Sequence, residues 1–117
     1  MTAYDLAHAL AKELSTGEEY QAFAAAKAKV KQDDANTKML ADFQIKQFEA
    51  QQYQLMGQEI SREKQQELER LYSLLSLNPT IKEYLETEFR FNRLITDVQK
   101  ILSEAVPEAI PIMLEDK

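Results

Sequence analysis

The chain has 117 residues, 44% of them apolar and 29% charged, with a net charge of -6 and no cysteine. That length suits one domain with a modest core, and the balance of apolar to charged residues excludes disorder of the low-hydrophobicity, high-charge kind. The acidic charge argues against binding a phosphate backbone, and the missing cysteines exclude disulfides, thiolate zinc sites and iron-sulfur ligation by this chain. No apolar run approaches the roughly 20 residues of a bilayer span, and the N-terminus lacks a signal peptide's apolar core. The expected location is cytoplasmic, with proteins as partners and neither membrane nor nucleic acid.

Gly17, Gly57, Pro79, Pro107 and Pro111 are the only glycines and prolines, and all lie between periodic segments. Such residues cost most inside helices, so they read as punctuation of an all-α chain. The first helix, residues 2 to 14, places Ala3, Leu6, Ala7, Leu10 and Leu14 on one face. Ser15 with Glu18, and Thr16 with Glu19, fit the capping-box pattern for a second helix starting near Gly17. That helix carries Tyr20, Phe23 and Val30 among alanines small enough to admit a close neighbour. Asp33 and Asp34 suit the cap of a third helix that runs to Met56, a rod of about 33 Å. Gly57 fits the left-handed position after it, and Ser61 caps a fourth helix with Leu68, Leu71, Tyr72 and Leu75 on one side. A short connection makes the third and fourth helices a long antiparallel hairpin. Asn78 as cap and Pro79 as first residue start a fifth helix that reaches about Ala105. Residues 1 to 105 thus read as one helical-bundle domain of about five helices. Residues 106 to 117 form a proline-interrupted tail, apolar at Val106, Ile110, Ile112, Met113 and Leu114.

The fifth helix has too many apolar faces for one neighbour. Its apolar residues span an arc of roughly 240°, whereas one packing side needs little more than about 100°. One partner is the hairpin. The second is either the N-terminal helices of the same chain or a symmetry mate, and the shortage of same-chain helices favours a homodimer through Phe89, Phe91, Leu94, Val98 and Ile101. Glu88 lies on the same arc; a carboxylate there needs a tyrosine, arginine or glutamine partner, and a functional acid is the sharper alternative.

Residues 44 to 66 contain eight glutamines at the hairpin's end. Glutamine forms helices well, so a solvated tip is one reading. The other is a recognition tip made by Gln51, Gln52, Tyr53, Met56 and Gln58, with amide donors and acceptors around apolar contacts. No catalytic constellation is present. His8 is the sole histidine, at the boundary of the first helix's apolar face, and neither a glycine-rich phosphate loop nor a nucleophile elbow occurs. No catalytic residue, metal ligand or cofactor is assigned.

The N-terminal helix, the stretch "STGEEYQAFAAAKAKVKQDD", the ending "QLMGQEIS" and the run "LYSLLSLNPTIKEYLETEFRFNRLITDVQKIL" together resemble the YlbF/YmcA family of small bacterial helical proteins, with most similarity to its YheA-like branch. The resemblance covers roughly residues 3 to 104 and is most distinctive at Asn78-Pro79 followed by Ile81, Tyr84, Glu88, Leu94 and Ile95. It implies an all-helical, commonly dimeric, non-enzymatic cytosolic protein. It also implies regulation, since relatives act in competence, sporulation and biofilm control within a complex that modulates the endonuclease RNase Y. Some relatives hold iron-sulfur clusters through cysteines, a cofactor that a cysteine-free chain does not inherit. The resulting expectation is a regulatory or adaptor protein acting through helix-mediated contacts. The alternatives are a holdase-like chaperone, with clients on the glutamine-rich hairpin and apolar tail, or a purely structural role.

Overall fold

The computed structural model describes residues 1 to 114, so the last three residues of the C-terminal tail lie outside it. Five helices follow one another: α1 (Ala3–Thr16), α2 (Glu18–Lys31), α3 (Asp34–Leu55), α4 (Arg62–Ser76) and α5 (Pro79–Ala105). Two short 3-10 turns, Pro107–Ala109 and Ile112–Leu114, finish the described chain, and no strand occurs among the described residues. The protein is all-α.

The helix boundaries follow from local chemistry. Asp33 accepts from the N–H groups of Ala35 and Asn36, and Ser61 accepts from that of Lys64, so α3 and α4 each start on a side-chain cap. After α3 the N–H of Gly57 donates to Gln54 and that of Gln58 to Tyr53, the paired bonds of a Schellman ending. Gly57 has φ 75°, the left-handed region where a side chain would be strained.

One expected start differs. Ser15 and Thr16 do not cap α2; both lie in the last turn of α1, where their hydroxyls donate to the Lys12 carbonyl at 3.1 and 2.8 Å. Hydroxyls in a last helical turn bond back to the carbonyl of the preceding turn, which leaves Gly17 as the cap of α2 without a side-chain bond. The capping box belongs instead to α1, formed by Thr2 and Asp5.

Asn78 does more than begin α5. Its Oδ1 accepts from the N–H groups of Thr80 and Ile81, while its Nδ2 donates to Asn36 Oδ1 at 2.8 Å, tying the start of α5 to the first turn of α3. Asn78→Ala should cost about 1–2 kcal/mol in urea unfolding, because cap and bridge are lost together. Asn78→Asp should recover part of that, since its carboxylate still caps but cannot donate to Asn36.

The core is small and lies at the N-terminal half of α5, where Ala26 and Val30 of α2, Leu40 and Phe43 of α3 and Leu75 of α4 close around Ile81 and Tyr84. The principal same-chain cover of α5 is α2, with less from α4 of the hairpin. Tyr20 lies against Phe91 and Lys29 against Glu83, so α2 runs antiparallel to α5 and ends its cover near residue 91. Buried Ala26 and Thr87 are the small residues in this seam.

The shape is open. The radius of gyration is 18.1 Å, in a plate of 47 × 40 × 16 Å, whereas a compact chain of this length has about 13 Å. The accessible surface is 9700 Å², against about 6500 Å² for a folded monomer of this mass. Roughly 3000 Å² more than a monomer ordinarily exposes is therefore in water.

Candidate interaction surface

Beyond its contact with α2, α5 continues with the same apolar periodicity and, among the described residues, no other long helix of the chain packs extensively along it. Leu94 and Val98 are half-buried, while Ile101 is 67% exposed and Leu102 more than half. These side chains recur at spacings of three and four and continue the line of Tyr84, Thr87 and Phe91, the residues that α2 covers. The seam runs on after its cover stops.

The five residues expected at a dimer contact do not form one surface. Leu94, Val98 and Ile101 share the open seam. Phe91 is engaged within the chain, its ring 5.4 Å from that of Tyr20 and stacked 5.8 Å from that of Phe23. Phe89 is 67% exposed but lies nine residues before Val98, half a turn round the helix. It lines a separate groove between α3, α4 and α5, with Phe43, Tyr72, Leu85, Gln44 and Asn92.

Glu88 is half-buried on the wall of that groove and accepts from the Tyr84 hydroxyl at 3.0 Å. The same phenolic oxygen accepts from Gln44 Nε2 at 3.4 Å, linking α3 to α5. Glutamine, tyrosine and carboxylate thus form one chain, and no buried side-chain polar atom lacks a partner among the described residues. Burial is the main cause that raises the Tyr84 pKa above its ordinary value; Gln44 opposes it, and the charge and hydrogen bond of Glu88 add to it. The folded state therefore holds this proton where the unfolded chain has released it. The stability this provides is complete below the ordinary phenol value of about 10 and declines as pH rises through the folded value. Tyr84→Phe should remove that alkaline decline and cost about 1 kcal/mol at neutral pH, read by urea titrations at pH 7 and above pH 10.

The glutamine-rich tip has two sides. Gln47, Gln51, Gln54, Gln58 and Gln65 line an open concavity beside Gly57 and Ile60. Tyr53 lies in a cleft on the other side, with Lys46, Glu49, Ile60, Lys64 and Leu68. Lys64 Nζ sits 4.8 Å from the Tyr53 ring centroid and 3.5 Å from its hydroxyl, and Lys46 pairs with Glu67 at 3.8 Å. Of the residues expected at a recognition tip, Gln51 and Gln58 share a surface, Tyr53 is held away from them, and Gln52 and Met56 are exposed but line neither concavity.

Further apolar residues are exposed, including Leu6 and Tyr72, which the sequence placed on core-facing sides of their helices. Ile45 and Phe48 of α3 and Tyr72 of α4 are more than half exposed, as are Tyr4 and Leu6 of α1. The same periodicity that marks a helix's core face marks these, so pattern alone could not tell a covered face from an uncovered one. Among the described residues no cluster of histidine, cysteine, aspartate or glutamate could hold a metal ion, and no helix is long and apolar enough to cross a membrane.

Comparison with known proteins agrees with this architecture. The chain is 53% identical to a UPF0342 protein of Desulfitobacterium hafniense over 116 residues, covering 99% of this chain and 94% of the relative. It is 43% identical to a UPF0342 protein of Symbiobacterium thermophilum over 108 residues, covering 92% and 96%. A solved structure described as a protein of unknown function (DUF964) from Bacillus stearothermophilus has the same fold, with a TM-score of 0.78 at 21% identity over 90% of this chain and 92% of that one. The family model described as "Control of competence regulator ComK, YlbF/YmcA" matches residues 3–107. With nearly all of its helical body matched, the chain belongs to the YlbF/YmcA family.

Proposed function

We propose that this protein is a non-enzymatic regulator that works as a homodimer, presenting helical surfaces to a protein partner. The observation that supports this most is the open seam of α5, in which Leu94, Val98, Ile101 and Leu102 repeat with core periodicity past the reach of α2, with Ile101 and Leu102 more than half exposed. Water-exposed apolar surface of this extent is the mark of a protein contact. The roughly 3000 Å² of excess surface also exceeds the about 800 Å² per partner that a standard interface needs. Its regulatory class follows from the family, whose description names control of a competence regulator. The link to RNA processing rests on the family resemblance, and the adaptor mechanism on the surfaces described above.

In a host that carries the competence regulator, removing this protein should change the regulator's abundance. The wild-type chain should restore it and Val98→Asp should not. Equal rescue by both would remove the seam from the function.

A holdase-like chaperone is the second reading, favoured by the exposure of Ile112, Met113 and Leu114 in the tail. It requires suppression of aggregation of unrelated denatured proteins, whereas a regulator leaves their aggregation rate unchanged.

A further inference from the structure

In α1, Leu6, Leu10 and Leu14 line one face with Ala3 and Ala7; no residue of the helix is buried, Leu10 and Leu14 are half-buried, and Leu6 is 54% exposed. Its main packing partner among the described residues is α2, across the Gly17 corner. That corner is tight: the Gln21 side chain donates to the Ser15 carbonyl at 2.8 Å, and a Cβ on Gly17 would lie 3.1 Å from the Glu13 carbonyl oxygen. Gly17 itself is extended, with φ -75° and ψ 162°, so α1 does not continue α2 along α5. The stripe of α1 around Leu6 and the seam of α5 beyond Leu94 are therefore both only partly covered within one chain.

We infer that each α1 is an exchange arm that lies in the α5 seam of a second copy of this chain, contacting Leu94, Val98 and Ile101. The inference rests on the homodimer reading and specifies what fills its seam. One two-fold arrangement covers the α1 stripe and the α5 seam of both chains, which is the isologous form of interface. A second α5 laid in the seam would leave Leu6 of both copies in water. The lengths correspond: α1 is about 21 Å long, and residues 94 to 105 of α5 span about 18 Å. Ala3 and Ala7 on the α1 stripe leave room for the larger side chains of α5 to approach the helix axis.

Because the chain contains no cysteine, single cysteines give an unambiguous map. Leu10→Cys and Val98→Cys chains are purified separately, mixed under denaturing conditions, refolded together and oxidised; Leu6→Cys with Ile101→Cys serves as a second pair. The expected result is a disulfide-linked species of twice the chain mass from each mixed pair, containing one copy of each variant, with far less from any variant alone. Strong linkage of Val98→Cys to itself, with nothing added by mixing, would overturn the exchange and leave the homodimer standing. Dimeric mass with no linkage in either pair would also overturn it. Monomeric mass of the unmodified chain would remove both readings. Separately, Leu6→Asp with Leu10→Asp alters only α1; it should convert the dimer to monomer with unchanged helix content, and retention of dimeric mass would contradict the exchange.

Discussion

Placing aspartate at both Val98 and Ile101 should leave a folded but monomeric chain. In a single copy these side chains are half-buried and exposed respectively, so charge there meets water and the helix content should persist. In the dimer each carboxylate would be taken from water into an apolar seam without a partner, at about 3 kcal/mol apiece. A two-fold dimer would bury four of them, and even two such terms weaken association by roughly 10⁴-fold. Light scattering after size exclusion reads the mass, and circular dichroism reads the fold. Unchanged mass would mean that association does not use the seam. Loss of helix would mean that it is part of the intrachain core.

The second large effect is on stability. Ile81 is fully buried where α2, α3 and α4 converge on α5, and Ile81→Ala should cost about 3–4 kcal/mol through lost transfer energy and the cavity left behind. Among the described residues only seven apolar ones form the buried cluster, so this is a large fraction of the about 5–15 kcal/mol that holds a domain together. Ile112→Ala removes an equally large side chain from an exposed tail position and should change stability by no more than about 0.5 kcal/mol. Urea unfolding at fixed protein concentration measures both, with the concentration held constant because association itself adds stability. Similar losses for the two substitutions would contradict the placement of the core.

The helices were legible because their ends are local chemistry. Asn78 and Pro79, Ser61, Asp33 and Gly57 each stand where a cap or a left-handed residue is needed, and each acts there within a few residues of its partners. Ser15 and Thr16 misled because a hydroxyl near a helix junction can serve the helix before it as well as the one after it. The division of α5 into a covered first half and an open second half was not legible. Its periodicity is continuous, and the place where the cover ends depends on where α2 begins and how the Gly17 corner turns α1 away, both long-range consequences of chain direction. The partner of Glu88 was foreshadowed by Tyr84 one turn before it, but the participation of Gln44, forty residues away, was not. Phe89 and Phe91 illustrate the same limit: both are phenylalanines on a wide apolar arc, and only the position of α2 separates the engaged ring from the exposed one.

The claim that a second copy covers the α5 seam has one direct measurement, the solution mass of the unmodified chain. Size exclusion with light scattering at micromolar concentration should give twice the 13.5 kDa of a single chain, with no monomer peak. A homogeneous species at the single-chain mass would contradict it.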